Sequence, residues 1–267
     1  MSSIEGRSDA ALFLLAVQGR YSAAMSKKVR TVGRPVAVIL ALTALPVHAG
    51  YFGAQLDVAS DRLFRGLTQN NGLSYSAHGD YAFDNRVYLG ASAANNRSAG
   101  DAEFDLYAGW SRSLLFREIV AYSVDAGVSA NLYTGDVHGP RAQNLDYAEA
   151  YAGLTVGPAS FKAYYAPDYY NFGAPGYRFN GTIKLPLTDK LVLTGTLAWN
   201  DGDGVRRLTE ARTEDHRGHA YLDYSATLRQ ALPKGFAVYL QAGGTSLDID
   251  GRRFPRVLIG LNKRFDF

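Results

Sequence analysis

Residues 122–132, YSVDAGVSANL, decide the fold class of this chain. Tyr, Val, Ala and Leu occupy every second position, and the positions between them hold Ser, Asp, Gly or Asn. Successive side chains of a β-strand point to opposite faces, so this period of two predicts a strand with one apolar and one polar face. Transmembrane β-barrels are built from such strands, with the apolar face towards lipid and the polar face towards the lumen.

The same alternation recurs along the chain from residue 50 onward, and no stretch of comparable length has helical periodicity. Counting these segments gives about twelve strands, with ends uncertain by a few residues. The predicted strands are 51–59, 73–83, 87–95, 103–113, 120–133, 147–156, 159–167, 177–185, 191–200, 220–229, 236–246 and 256–267. An even number puts both ends of a closed antiparallel barrel on the same side of the membrane.

The links between the predicted strands alternate in length. Long links, such as 60–72 and the charged stretch 201–219, follow the odd-numbered strands, whereas tight links, such as 84–85 and 157–158, follow the even-numbered ones. Short turns at one end and long loops at the other are typical of outer-membrane barrels. The predicted fold is therefore an all-β, transmembrane, antiparallel up-and-down barrel. A soluble two-sheet β protein is the competing fold.

The N-terminal part has a pattern of its own. Basic residues precede the apolar stretch 36–45, and small residues suited to cleavage end at Ala49, as in a secretory signal peptide. We expect residues 25–49 to be this signal, 1–24 an upstream extension, and 50–267 a barrel in the bacterial outer membrane. Six of the 28 basic and two of the 25 acidic residues precede residue 50, which leaves 22 and 23 and a net charge of −1. That balance removes the support for a nucleic-acid partner.

Residues 57–70, DVASDRLFRGLTQN, resemble the opening motif of a known family. In that motif a short apolar strand leads into Ser-Asp, then into an aromatic residue followed by Arg-Gly, and then into a Ser/Thr-Gln pair. The matching residues are Ser60, Asp61, Phe64, Arg65, Gly66 and Gln69. The family is the TorF family of porin-like proteins, also described as the Gcw_chp family. The departure is Arg62-Leu63, where a Tyr is expected shortly after the Asp. The resemblance implies an outer-membrane barrel with a transport role and implies no particular substrate.

The polar face of the predicted strands would line the lumen. Acidic residues gather on strands 2 to 6 and basic residues on strands 7, 8 and 12, with Asp223 as the exception. The candidate pore-lining residues are Asp80, Glu103, Asp105, Asp125, Glu149, Lys162, Arg178, Lys184 and Arg264. Two such arcs would set a field across a water-filled passage. The alternative is that the same charges form salt bridges across a plugged lumen.

The sequence offers little for catalysis or metal binding. It has no Cys, no Gly-x-Ser-x-Gly and no His-Glu-x-x-His. Ser76 with His78, and Asp215-His216, lie in no specific motif. We therefore expect no enzymatic activity, no cofactor and no metal.

The favoured function is passive passage of small hydrophilic solutes or ions. The alternatives are a closed barrel that acts as a receptor, adhesin or structural protein through its outer loops, and a lipid-modifying barrel enzyme. The expected partners are outer-membrane lipids, lipopolysaccharide, small solutes and the barrel-assembly machinery. That machinery would recognise the last strand, which is apolar on one face and ends in the aromatic Phe267.

Overall fold

The computed structural model describes residues 50–116, 120–135, 144–213, 216–249 and 255–267. Twelve long strands form one closed antiparallel barrel, which confirms the predicted fold class and strand count. The predicted extension 1–24, signal peptide 25–49 and cleavage site lie outside the described residues and stay predictions. Within the described part of the chain, no helix combines the length and the apolar character needed to cross a bilayer.

The described residues hold two further strands, β2 and β3, which pair only with each other. The strands are β1 (Gly50–Ala59), β2 (Leu63–Phe64), β3 (Leu67–Thr68), β4 (Ser74–Phe83), β5 (Val87–Asn95), β6 (Ala102–Phe116), β7 (Val120–Thr134), β8 (Tyr147–Val156), β9 (Ala159–Ala166), β10 (Gly176–Pro186), β11 (Leu191–Asp201), β12 (Tyr221–Ala231), β13 (Phe236–Thr245) and β14 (Arg256–Asp266). The helix α1 (Asp203–Glu210) lies between β11 and β12, and 3-10 turns lie at Tyr169–Asn171 and Pro233–Gly235.

The barrel closes by pairing its first and last strands. β1 pairs with β14 from Gly53 opposite Asp266 to Ala59 opposite Gly260. Every other barrel strand pairs with its neighbours in the chain order. The predicted strand ends hold to within a few residues, and the largest difference is that β6 continues to Phe116 rather than ending at residue 113.

The predicted alternation of link lengths is confirmed, and it distinguishes the two ends of the barrel. We call the end with the tight links, such as 84–86 and 157–158, the turn end, and the opposite end, with links such as 60–73 and 202–220, the loop end. The charged stretch 201–219, which the sequence predicts only as a long link, is not irregular throughout. It contains α1, whose Val205 and Leu208 are buried at the loop end.

The two faces of the wall differ as the alternation predicts. The outward face carries exposed apolar side chains, including those of Leu56, Phe161, Phe179, Leu197 and Ile259. The polar face is identified by contacts that pass over a strand. Tyr88 on β5, for example, donates a hydrogen bond of 3.0 Å to Asp125 on β7, although β6 lies between them. Only side chains on the concave side of a barrel can approach each other in this way, so this face lines the lumen.

Glycines on the inner face make room for these crossings. A Cβ at Gly109 would lie 2.5 Å from the Tyr88 hydroxyl, and a Cβ at Gly260 would lie 2.2 Å from the Tyr239 ring. Tyr239 thereby reaches across β14 and donates a hydrogen bond of 2.8 Å to Asp57 on β1. The inner wall is therefore held by side-chain contacts in addition to its backbone ladder.

Candidate functional site

The long link after β1 folds back as a small hairpin. Leu63 pairs with Thr68 and Phe64 with Leu67, which leaves Arg65-Gly66 as the turn. Arg65 has φ 51° and Gly66 has φ 77°, and positive φ at both central positions is the type I′ pattern that suits a two-residue hairpin. We call residues 61–70 with this hairpin the plug.

The tip of the plug reaches the far side of the barrel. The Arg65 guanidinium forms an ion pair with Glu149 on β8, and β8 lies five strands from β1 by the shorter route around the barrel. On another part of the wall, a Cβ at Gly66 would lie 2.6 Å from the Asp223 Cβ on β12 and 2.6 Å from the Gly244 carbonyl oxygen. The plug therefore crosses the bore, and at Gly66 it packs too closely for any larger residue.

Arg65 is enclosed as well as paired. Its side chain is 8% exposed and that of Glu149 is 5% exposed. The guanidinium lies 5.1 Å from the ring centre of Phe64 and 5.4 Å from that of Tyr169. Burial opposes the charged form most strongly, but Glu149, Tyr147 and Tyr169 together outweigh it, so the pKa of Arg65 lies well above its ordinary value. An ion pair this deeply buried holds the plug in place, because separating it would leave each charge without a partner.

A second ion pair holds the base of the plug. Arg62 pairs with Glu103 on β6, whose side chain is fully buried. Asn96 donates hydrogen bonds of 2.8 Å to Glu103 and 2.9 Å to Gln69. The Gln69 carbonyl oxygen also accepts from two backbone amides of the β5–β6 link, at 3.0 Å each.

The remaining motif residues also serve the plug. Asp61 accepts a hydrogen bond from Thr68 and lies 3.4 Å from Arg256 on β14. Ser60 exchanges hydrogen bonds with the backbone of Ile259 and thereby extends the β1–β14 pairing by one residue. The structure thus brings Ser60, Asp61, Phe64, Arg65, Gly66 and Gln69 together in or beside one element. The sequence assigned them to a motif by resemblance, without placing them in the lumen.

An aromatic cap covers the plug at the loop end. Tyr147, Tyr169, Tyr170 and Tyr221 are buried there with Leu67 of the plug. Other members of this cluster are Val205 and Leu208 of α1 and Leu247 of the β13–β14 link. Burial raises the pKa of Tyr169, which keeps its hydroxyl neutral. The cap is therefore an uncharged lid of side chains drawn from several links and from the first residues of β8 and β12.

The nine predicted lumen residues lie on the inner face, and most of them are paired locally. Glu103 and Glu149 pair with the arginines of the plug. The other ion-pair distances are 3.2 Å for Lys162–Asp125 and 2.7 Å for Arg264–Asp266, and Arg178 pairs with Asp223. An oxygen of Asp80 lies 3.3 Å from the His78 Nε2. Asp105 accepts a hydrogen bond of 2.7 Å from Ser92, and Lys184 is exposed near the turn end. Two of the five acids of the acidic arc are thus neutralised by the plug, which the sequence did not reveal.

The wall below the plug is polar and partly exposed. Thr182, Thr194, Thr196, Ser225 and Thr227 occupy inward positions of β10, β11 and β12, and each is half-buried. The hydroxyls of Thr182 and Thr196 lie 3.3 Å apart across neighbouring strands. This hydroxyl-bearing wall faces a lumen that solvent reaches, in contrast to the dry cap at the loop end.

A family model described as "Bacterial protein of unknown function (Gcw_chp)" matches residues 44–255. This confirms the predicted resemblance to Gcw_chp, and the name TorF stays a prediction. No curated protein matches the chain.

Among solved structures, the KdgM porin in complex with disordered oligogalacturonate is similar, with a TM-score of 0.50, 12% identity, and coverage of 80% of this chain and 99% of that one. A second KdgM porin structure has a TM-score of 0.50, 13% identity and the same coverage. The NanC porin has a TM-score of 0.48, 9% identity, and coverage of 78% and 97%. At such identities the likeness to KdgM concerns the fold, which is a barrel of the outer-membrane type.

Proposed function

The chain belongs to the Gcw_chp family, and we propose that it is an outer-membrane channel that small hydrophilic solutes or ions cross passively. In this proposal the plug narrows the bore at the loop end. The observation that carries it is the inner face of the barrel, where half-buried hydroxyls and charged groups extend from the turn end up to the plug. A barrel built only as a membrane anchor has no need of a solvated inner wall.

The fold of the KdgM porins supports this proposal. One of those porins was solved with oligogalacturonate, so a barrel of this architecture can accommodate a polyhydroxylated solute. The hydroxyl-bearing wall offers hydrogen-bonding groups to a solute of that general class. We extend to this chain only the class of small hydrophilic solutes, with passage and no catalysis.

The proposed location is the outer membrane, reached through the predicted signal peptide and the barrel-assembly machinery. Phe267 is 74% exposed, and its ring lies 5.5 Å from that of Phe52 on the first strand. An exposed aromatic residue beside the seam where β1 pairs with β14 supports a role of this seam in assembly. Lipid and lipopolysaccharide would contact the outward apolar face and the loop end.

A closed barrel that works through its loops is the second candidate. The observation in its favour is the dry cap, in which Tyr169 and Tyr221 are each 1% exposed. In that case the plug would be a permanent part of the wall, and the loop end would be a rigid platform for a partner.

Planar-bilayer conductance of the detergent-folded protein separates the two candidates. Folding is verified first by heat-modifiable migration on a gel. We expect small conductance steps from the wild-type protein, and larger steps from a variant in which Gly and Ser replace residues 63–68. If neither folded protein gives steps above background, the channel is refuted and the closed barrel is favoured.

A further inference from the structure

The contact between the plug and the wall has an excess of acidic groups. The plug contributes two arginines, Arg62 and Arg65, whereas the wall contributes Glu103, Asp105 and Glu149. Arg62 pairs with Glu103, and Arg65 pairs with Glu149. Asp105 has no ion pair within the described residues, and its hydrogen bond comes from the neutral Ser92. One negative charge is therefore unmatched beneath the plug if all three acids are ionised.

Two buried carboxylate oxygens lie where this negative charge is unmatched. Within the described chain, Glu103 Oε1 and Asp105 Oδ1 are both buried without a hydrogen-bond partner. Glu103 is 1% exposed. The two residues are successive inward positions on β6, so their carboxyl groups are neighbours on one face of one strand. An ionised carboxylate oxygen that is buried and unpartnered is costly, and a proton on one of two neighbouring carboxyls relieves this cost.

Other unpartnered polar atoms surround the same place. Asp105 lies opposite Asn131 on β7, and Asn131 lies opposite Tyr147 on β8. The Asn131 side-chain nitrogen, the Tyr147 hydroxyl and the Arg62 Nε are also buried without partners among the described atoms. A set with both donors and acceptors suits a protonated carboxyl better than a metal cation, which would be repelled by the arginine.

We propose that Asp105 carries a proton beside the ionised Glu103, and that this proton keeps the plug seated. With the proton in place, the three acids carry two negative charges, which match the two arginines. When the proton leaves, an uncompensated carboxylate with a buried, unpartnered oxygen remains, and movement of the plug that lets water in relieves it. The effect on channel opening rests on the proposed function, whereas the proton on Asp105 does not.

The groups that face the pair from the neighbouring elements agree with this assignment. His78 lies one strand beyond Ser92, but it already faces Asp80 at 3.3 Å. β7 contributes Asn131 and Tyr133, β8 contributes Tyr147 and Glu149, and the plug contributes Arg62. Among these, Arg62 is the only permanent cation near the pair, and it is already matched by Glu103.

The sign of the pH dependence follows from where the proton binds more tightly. The proton is held more tightly when the plug is seated, because burial disfavours a second negative charge beside Glu103. The seated state is therefore favoured at lower pH and loses that advantage as the pH rises through the value at which the pair releases its proton. One proton changes the ratio of seated to displaced plug by at most about tenfold per pH unit.

Infrared spectroscopy of the folded barrel tests the proton directly and needs no channel activity. We expect a protonated-carboxyl carbonyl band near neutral pH that disappears at higher pH and is absent from Asp105→Asn. The matched control is Asp80→Asn, which removes an inner-face carboxylate that faces His78 and should keep the band. If the wild-type protein has no such band, or if Asp105→Asn retains it, the proposal is overturned.

Hydrogen exchange of the amides of residues 63–68 tests the coupling to the plug. At each pH the exchange rate of wild type is divided by that of Asp105→Asn. We expect this ratio to rise with pH as the pair loses its proton, by up to about tenfold per pH unit. A wild-type ratio that is flat with pH overturns the coupling. Exchange is independent of conduction, so the two proposals can fail separately. If exchange depends on pH in a barrel that passes no current, the proposed channel is refuted and this inference is not.

Discussion

Arg65 is the residue on which the plug depends most. Its charge is buried against Glu149, and its neighbours are aromatic rings that offer no alternative counter-ion. Its backbone φ of 51° is an unfavourable value for a residue with a Cβ, so the ion pair also holds the turn in its conformation.

We expect Arg65→Ala to lower the free energy of unfolding by about 3–5 kcal/mol, because Glu149 would remain buried without a partner. The measurement is urea unfolding of the barrel in detergent. Arg206→Ala is the matched control, since Arg206 is exposed and pairs with Asp201 on the surface, where such a pair contributes about 0–1 kcal/mol. Equal losses of unfolding free energy in the two variants would mean that the buried ion pair does not hold the plug in place.

The inner-face glycines give a second prediction at this scale. Gly260→Ala would place a Cβ 2.2 Å from the Tyr239 ring, so we expect a loss of about 1–3 kcal/mol through overpacking. Gly181→Ala is the control, because the nearest atom to its Cβ would be 3.7 Å away. Adding Tyr239→Ser to the Gly260→Ala variant should recover much of the unfolding free energy that Gly260→Ala loses. Equal effects of the two single substitutions on the unfolding midpoint would contradict the crossing of Tyr239 over β14.

At the scale of elements, the plug can be fixed in place with a disulfide. A Cβ at Gly243 would lie 3.1 Å from the Leu63 Cδ1, so cysteines at the two positions would face each other, and the chain has no Cys of its own. The same Cβ would lie 2.8 Å from the Tyr224 carbonyl oxygen, so β13 must shift slightly to accept it. We expect the oxidised Leu63→Cys/Gly243→Cys variant to keep a small conductance at every pH. Reduction should restore the pH dependence, and each single variant serves as a control. A conductance that is unchanged by oxidation, in protein shown to be cross-linked, would mean that the plug does not move.

The elements also differ in how well the sequence predicts them. The barrel strands are predictable because a period of two is a local property that each strand carries in its own residues. The two strands of the plug hairpin are two residues each, too short for any period, and their burial depends on Glu149 and Asp223 from distant parts of the chain. The helix α1 was missed because its turns are charged, and only Val205 and Leu208 mark its buried side.

At the scale of the whole molecule, ion selectivity depends on which lumen charges remain unmatched. The sequence predicted two opposed arcs, and the inner-face positions follow from strand register. The pairing of those charges could not be predicted, because it depends on the plug and on side chains that cross over strands. Lys184 is exposed near the turn end, whereas Arg178 is held by Asp223 and Asn200.

We therefore expect Lys184→Gln to shift the ion preference of the channel towards cations. The shift should be larger at low salt, because the screening length is about 10 Å at 0.1 M. Arg178→Gln should instead lower stability, since it leaves Asp223 buried without its counter-ion. Reversal potentials under a salt gradient, measured beside unfolding midpoints, distinguish the two effects. A selectivity change in Arg178→Gln as large as that in Lys184→Gln would contradict the local pairing.

The central claim is that the barrel is a channel whose bore the plug narrows. The most direct measurement compares single-channel conductance of the wild-type protein with that of the variant in which Gly and Ser replace residues 63–68, both verified as folded. The account predicts steps from both proteins and a several-fold larger conductance without the hairpin. Equal conductance in the two, or no current through either, would contradict it.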